Sequence, residues 1–261
     1  MKLSLLAIDV GNTNISIGLF LGEELEETFN IPVSFDPKRF WPEVERKLGQ
    51  DRFKEITTVA ISSVVKGIDL NLADSLAEFY FMNHLGEVPK VSLITKDTKW
   101  PLASAYKSGL GTDRMLAAVA AAMLHGRPVI VVDIGSAVTV DLVDSEGVFR
   151  GGIILAGAGM RLRALAQFTS ALPEIPIPEE PPPLIGADTI ECMSSGVHHG
   201  MRQEIQGLVS AIQAEIGEEA PVVLTGQGSR LFREQRPAGW WIEEGLVLKG
   251  IYFVASGGND D

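Results

Sequence analysis

Two stretches decide the fold of this chain: Leu6-Ala7-Ile8-Asp9-Val10-Gly11-Asn12-Thr13 and Val131-Val132-Asp133-Ile134-Gly135-Ser136-Ala137-Val138. In each, an apolar run reads as a buried strand. Asp-x-Gly closes it, a small polar residue turns the chain, and β-branched residues open a second strand. A third strand and then a helix follow both times: Glu24 to Ile31 and Pro37 to Leu48 after the first, Val148 to Leu155 and Met160 to Leu172 after the second. The chain therefore reads as two copies of one α/β unit, about 1–111 and 112–261. A duplicated unit implies a central cleft between its halves, where small ligands tend to bind.

Working outward, Asp36 is a candidate N-cap for the helix over 37–48, which Gly49 ends. Thr57 to Ser62 and Lys90 to Thr95 read as strands, and Leu70 to Leu85 as an amphipathic helix between them. The alanine-rich run Thr112 to His125 is helical and stops at Gly126 and Pro128. Pro173 to Pro183 holds six prolines, so it is neither helix nor central strand, and reads as a surface crossover. Thr189 to Ile216 is helical, Val222 to Thr225 a strand, Glu243 to Val254 a last helix, and 257–261 a tail.

The 261 residues carry 46 % hydrophobic and 21 % charged side chains, as ordinary globular domains do. A net charge of −12 disfavours a phosphodiester partner, and no basic cluster larger than Arg161 and Arg163 offsets it. With Cys192 alone, no internal disulfide is possible, which fits a reducing, cytoplasmic setting. The N-terminal apolar run ends at Asp9 without a signal-peptide cleavage region, and no run reaches the roughly 18 apolar residues of a membrane span.

The chemistry concentrates in a few places. In Asp9-Val10-Gly11-Asn12-Thr13-Asn14, glycine permits a tight turn and successive N–H groups offer an anion-binding concavity. Asp9, at a strand end, is a candidate Mg²⁺ ligand. A plain Asx turn has the same composition. Asp133-Ile134-Gly135-Ser136 repeats the arrangement with a hydroxyl, and Leu224-Thr225-Gly226-Gln227-Gly228 supplies a third glycine turn. Two facing loops of this kind would grip a triphosphate. Neither a Walker A sequence nor a dinucleotide fingerprint occurs. Gly109-Leu110-Gly111-Thr112-Asp113-Arg114 opens the alanine-rich helix. There Asp113 could accept a hydroxyl proton and Arg114 could bind a carboxylate, or Thr112 could cap the helix with Asp113 on its dipole and Arg114 in a salt bridge.

The order of these loops resembles the acetate and sugar kinase/Hsp70/actin superfamily. Further members narrow the resemblance: Asp133 to Asp141 as Asp-x-Gly-Ser-Ala-x-Thr-x-Asp, Gly151-Gly152-Ile153-Ile154, Leu172-Pro173, Gly186 with Thr189, and Ser195-Gly196. Over essentially its whole length the chain resembles type III pantothenate kinase. The resemblance implies an α/β protein of two ribonuclease H-like (actin-like ATPase) lobes with a duplicated βββαβαβα-type core and a central cleft. It implies ATP-dependent phosphorylation of pantothenate to 4′-phosphopantothenate, the first step of coenzyme A synthesis, by a cytoplasmic homodimer using Mg²⁺ and a monovalent cation, K⁺ or NH₄⁺. Asp9, Val10, Gly11, Asn12, Thr13, Asn14, Ile15 and Ser16 would form the ATP phosphate loop, and Ser136 would contact ATP. Asp113 would be the proton acceptor. Tyr106, Gly111, Thr112, Arg114 and Thr189 would bind pantothenate, and Asp133 would hold the monovalent cation.

Ser136 stands where the family usually has threonine, Ala156-Gly157 where it has Pro-Gly, and Asp188 where it has asparagine. The expected consequences are a less rigid turn at Ala156 and extra negative charge beside Thr189. Two rival functions share these motifs: a nonenzymatic regulator of the same fold, and a kinase for another small alcohol. Outside the motifs, His198 and His199 point about 100° apart on a helix, poor geometry for one metal. Cys192 reads as a small buried residue, Asp69, Asp74 and Glu78 as a solvated helix face, and Trp240-Trp241 as either core or interface.

Overall fold

The structure, a computed structural model, describes residues 3–34, 36–234 and 236–257. Met1, Lys2 and residues 258–261 of the expected tail lie outside them. The elements run β1 (Ser4–Val10), β2 (Asn14–Leu21), β3 (Glu24–Pro32), α1 (Phe40–Leu48), α2 (Gln50–Lys54), β4 (Thr58–Ser63), α3 (Ile68–Met82), β5 (Lys90–Ile94), β6 (Ala103–Ser104) and α4 (Thr112–His125). They continue with β7 (Val129–Ile134), β8 (Ala137–Val143), β9 (Val148–Ala156), α5 (Ala158–Phe168), α6 (Thr189–Ile216), β10 (Val222–Thr225), a 3₁₀ turn (Gln227–Phe232), β11 (Trp240–Ile242) and α7 (Leu246–Ser256).

Two sheets form. The first has the order β3-β2-β1-β4-β5, the second β11-β10-β7-β8-β9-β6. In the first, β2 is antiparallel to both β1 and β3, while β4 and β5 run parallel to β1. In the second, β8 is antiparallel to β7 and β9, while β10 and β11 run parallel to β7. Numbered in chain order, the first sheet reads 3-2-1-4-5, and so do β7–β11 of the second once the short edge strand β6, paired in parallel with β9, is set aside. This is the ribonuclease H-like order, so the duplication read from the two Asp-x-Gly stretches is present in the topology.

Contacts divide the chain into two compact units. One takes the residues up to Pro101, Ser108–Ala120 and those from Gly245 onward; the other takes Leu102–Lys107 and Ala121–Glu244. A single cut at 111/112 does not reproduce this division, because α7 packs on β1, β2 and β4 of the first sheet.

In the first unit, strand alternation assigns two faces. Leu6, Ile8 and Val10 of β1 join Phe40, Trp41, Phe53, Leu72 and Tyr80 in one core. Leu5 and Ala7 point the other way, onto Leu116 of α4 and Leu248, Ile251 and Tyr252 of α7. The aromatic core is also hydrogen-bonded. Trp41 Nε1 donates to Leu72 O at 3.1 Å, and Tyr80 OH donates to Phe53 O at 3.0 Å. Burial, with the Glu45 carboxylate second, pushes the Tyr80 phenol up to about 12. Helices α4 and α7 meet backbone to backbone, since a β-carbon on Gly250 would lie 2.1 Å from Leu116 O.

In the second unit, Ile130, Val132 and Ile134 of β7 and Val138 and Val140 of β8 pack against Leu162 of α5 and Met193, Val197, Met201, Ile205 and Val209 of α6. The opposite face carries Asp133, Thr139, Asp141 and Thr225, the last two buried.

Several element boundaries differ from expectation. Residues 37–39 form a 3₁₀ turn before α1, with Asp36 Oδ1 accepting from Lys38 N–H at 3.0 Å. Helix α5 ends at Phe168, where Thr169 Oγ1 donates to Leu165 O at 2.8 Å and the backbone turns extended. The last helix starts at Leu246. Residues 240–242, ahead of the expected helix, form an extra strand parallel to β10, and Gly245 turns the chain at φ 65. Trp240 is buried against Phe232, whereas Trp241 is half exposed beside the His125 ring. Cys192 is exposed, not buried: it lies in the first turn of α6, with Sγ 3.5 Å from Gly186 O.

Candidate active site

The first unit gathers its functional side chains at the C-terminal end of β1. The β1–β2 connection is tight: Gly11 N–H donates to Asn14 O at 3.0 Å, and a β-carbon on Gly11 would sit 3.1 Å from that oxygen. Asn12 and Thr13 are exposed at its tip, and Thr13 O accepts from Val33 N–H at 2.9 Å. Val10 pairs with Ile15 and Asp9 with Ser16 across the hairpin, while Asp9 pairs with Ser62 on β4. Paired residues share a sheet face. Asp9, Ser16 and Ser62 thus form one oxygen-bearing row. Ser62, fully buried, donates from Oγ to Thr112 Oγ1 at 2.9 Å, which ties that row to the start of α4.

Asp113 follows Thr112 in the first turn of α4. Its Oδ1 accepts from Arg114 N–H at 2.8 Å. A β-carbon on Gly111 would lie 2.3 Å from Asp113 Oδ1, so the carboxylate's position requires glycine there. Gly109, at φ 73, supplies the left-handed bend that precedes it. Thus Asp9, Ser16, Gly111, Thr112, Asp113 and Arg114 lie in one linked segment of the first unit, and Ser62, missed from sequence, is the side chain that joins its halves. Its only sequence signal was position: it ends an apolar strand.

The second unit repeats the arrangement with a shorter turn. Only 135–137 separate the paired residues Ile134 and Val138, against 11–14 in the first hairpin. Gly135 N–H donates to Ala137 O at 2.9 Å, and Ser136 O accepts from Gly157 N–H at 3.1 Å. Three glycine turns converge on the end of β7. A β-carbon on Gly157 would lie 2.3 Å from Gly135 O, one on Gly226 2.4 Å from Asp133 Oδ1, and one on Gly228 2.2 Å from Ile134 Cγ2. Gly157 and Gly228 therefore belong to the site as much as Gly135 does. The expected softness at Ala156-Gly157 is offset by Arg161, whose Nε donates to Ala156 O at 2.7 Å while its guanidinium pairs with Glu204 at 2.6 Å.

Asp133 lies opposite Thr139 and Thr225, an all-oxygen row at the strand ends. Tyr106 sits elsewhere in this unit. Its ring packs on Phe149 and against Gly151, toward the end of β9 away from Ala156. Thr189 is exposed at the first turn of α6. Asp188 is that helix's N-cap: Oδ1 accepts from Glu191 N–H at 2.8 Å, and Glu191 Oε2 accepts in return from Ala187 N–H at 2.8 Å. Its charge is engaged with the helix end.

Residues 5–211 match the family model of type III pantothenate kinase. A type III pantothenate kinase of Moorella thermoacetica is 36 % identical over 256 residues, covering 96 % of this chain and 98 % of that one. One from Thermomicrobium roseum is 32 % identical over 251 residues, covering 95 % of each. The chain belongs to the type III pantothenate kinase family. As a type III pantothenate kinase it is an enzyme, a phosphotransferase that uses ATP to phosphorylate pantothenate in coenzyme A biosynthesis. Among solved structures, a Campylobacter jejuni protein described as of the Baf family of transcriptional activators superposes with a TM-score of 0.58 at 17 % identity, covering 98 % of this chain and all of that one. Component A of the (R)-2-hydroxyglutaryl-CoA dehydratase of Acidaminococcus fermentans gives 0.50 at 15 %, covering 99 % and 100 %. These likenesses are of fold. Among the described residues no helix is long and apolar enough to cross a membrane.

Proposed function

We propose that Asp113 is the general base of this pantothenate kinase. The observation that carries the reading is the space Gly111 leaves for the Asp113 carboxylate at the start of α4. The primary hydroxyl oxygen of pantothenate attacks the γ-phosphorus of ATP. A new O–P bond forms, the bond from that phosphorus to the β,γ-bridging oxygen breaks, and ADP leaves. The hydroxyl proton passes to Asp113. A positioned base contributes ~10²–10⁴-fold, and the rest is positioning and charge neutralisation.

Residues Asp9 to Ser16 hold ATP phosphates with the backbone N–H groups of the β1–β2 turn, and Ser136 contacts ATP from its own loop. Gly111, Thr112 and Arg114 bind pantothenate, Arg114 through the carboxylate. Tyr106 and Thr189 are further pantothenate contacts on the strength of the family motif.

Oxygen-only donors suit hard cations. Asp9, with Ser16 and Ser62 on its face, fits Mg²⁺; Asp133, with Thr139 and Thr225, fits K⁺ or NH₄⁺. Such cations neutralise phosphate charge when bound. Among the described residues no three His, Cys, Asp or Glu side chains cluster as a metal cage. A homodimer is supported by exposed apolar side chains on the second unit, among them Ile154, Phe168, Leu184, Ile185 and Ile190. A cytoplasmic location accords with the enzyme's soluble substrates.

The test is ADP release from Mg-ATP with and without pantothenate, in K⁺ and again in Na⁺. Pantothenate-dependent release that is stronger in K⁺ is expected. Folded protein that binds ATP yet shows no stimulation in either buffer would sink the reading in favour of another alcohol or a regulator.

A further inference from the structure

Within the second unit, none of the residues above accounts for a cavity of about 450 Å³ bounded by α6, the proline-rich segment and the end of the 3₁₀ turn after β10. Its polar lining is His198, His199, Arg202, Gln203 and Arg230, with Glu234 as its only carboxylate among the described residues. Its apolar wall is Pro181, Leu184 and Leu231. Two guanidiniums thus face one exposed carboxylate, in a chain whose total charge is −12. Burial, then the positive charges of His199 and Arg202, holds the His198 imidazole below its usual range. Burial is the larger cause; the smaller one, from Arg202, marks the positive charge that an anion in the cavity would meet.

The walls are held in place before any ligand arrives. Arg202 lies over the Phe232 ring, with Cζ 5.8 Å from its centroid. The proline-rich segment is strapped along α6 by alternate carbonyls. Pro182 O accepts from His199 Nε2 at 2.9 Å, Leu184 O from Ser195 Oγ at 2.6 Å, and Gly186 O from Cys192 Sγ at 3.5 Å. A carbonyl can only accept, so His199 carries its proton on Nε2. Positions 192, 195 and 199 form one stripe of the helix, and the strap runs antiparallel to it. A β-carbon on Gly186 would meet Cys192 N at 2.4 Å, so the segment closes on the helix only with glycine there. The guanidinium of Arg230 is exposed and, among the described residues, makes no ion pair.

We propose that this cavity binds a small organic phosphomonoester, with its dianion on Arg202 and Arg230 and its carbon skeleton on Leu184 and Leu231. Paired guanidiniums match phosphate oxygens by shape and charge. The volume exceeds what inorganic phosphate fills, and the apolar wall asks for a carbon group beside the anion.

Isothermal titration of the full chain with phenyl phosphate tests this, with benzoate and inorganic phosphate as controls. The expected result is one phenyl phosphate per chain, bound more tightly than either control and unaffected by saturating Mg²⁺ with the non-hydrolysable ATP analogue AMP-PNP. Arg230→Gln, an exposed change that leaves the melting temperature in place, should weaken it at least about tenfold, as should Arg202→Gln. Three results would overturn the proposal: no binding to the native chain, equal binding by a folded Arg230→Gln variant, or displacement by AMP-PNP, which would assign the cavity to the nucleotide. Inorganic phosphate binding as tightly as phenyl phosphate would overturn the organic part.

Discussion

The carboxylate of Asp113 stands in the space that a side chain on Gly111 would take, for a β-carbon there would lie 2.3 Å from Asp113 Oδ1. The contact is between a backbone position and a side-chain oxygen two residues on. Gly111→Ala should therefore turn the carboxylate away rather than unfold the protein. We expect kcat to fall by ~10²-fold, the scale of a misplaced base, with ATP affinity and melting temperature little changed. Steady-state kinetics beside a thermal melt would show it; an unchanged kcat would mean the observed rotamer is not the working one.

Asp113→Asn keeps the shape and removes the proton acceptor. Turnover should drop ~10²-fold or more while ATP still binds. Wild-type turnover would remove Asp113 from the base role.

Asp133 faces Thr139 and Thr225 at the strand ends. Asp133→Asn should abolish the advantage of K⁺ over Na⁺ in pantothenate-dependent ADP release while the protein stays folded. If the K⁺ preference survives, the monovalent cation binds elsewhere.

Asp188 caps α6 through Glu191 N–H. Asparagine caps as well as aspartate, so Asp188→Asn should change stability by only a few tenths of a kcal/mol, whereas Asp188→Ala should cost about 1 kcal/mol. Urea titration of both variants separates capping from charge: a large loss in the asparagine variant would make the charge itself the stabilising feature.

Burial pushes the Tyr80 phenol up to about 12 in the folded chain, from the usual tyrosine value of about 10. Its folded value is raised, so its contribution is fully present below pH 10 and is lost as pH rises toward 12. Alkaline unfolding should steepen in that window, and Tyr80→Phe should flatten it. The same variant leaves Phe53 O without its buried donor at 3.0 Å, at a cost of about 1–3 kcal/mol near neutral pH. An alkaline profile identical in both proteins would exclude Tyr80 as its source.

Local chemistry made much of this protein legible in its sequence. Apolar runs ending in Asp9-x-Gly11 and Asp133-x-Gly135 specify a strand and a sharp turn from residue type alone, and their recurrence specifies the duplicated α/β unit. The ordered motifs specified the family. What depends on residues distant in sequence had no such signal. Ser62 joins Thr112 only because β4 pairs beside β1, and Gly157 and Gly228 matter only because three turns meet at the end of β7. Strand β11 forms because β10 offers an edge to the short Trp240–Ile242 segment, and α7 belongs to the first unit because its apolar face fits the side of β1 that carries Leu5 and Ala7. Asp188 could be read from sequence as a charge; only the fold shows it as a cap. The sequence determined which chemistry is present and in what order. The tertiary structure decided which groups share a face, since pairing register and close approach are properties of chains brought together, not of any segment by itself.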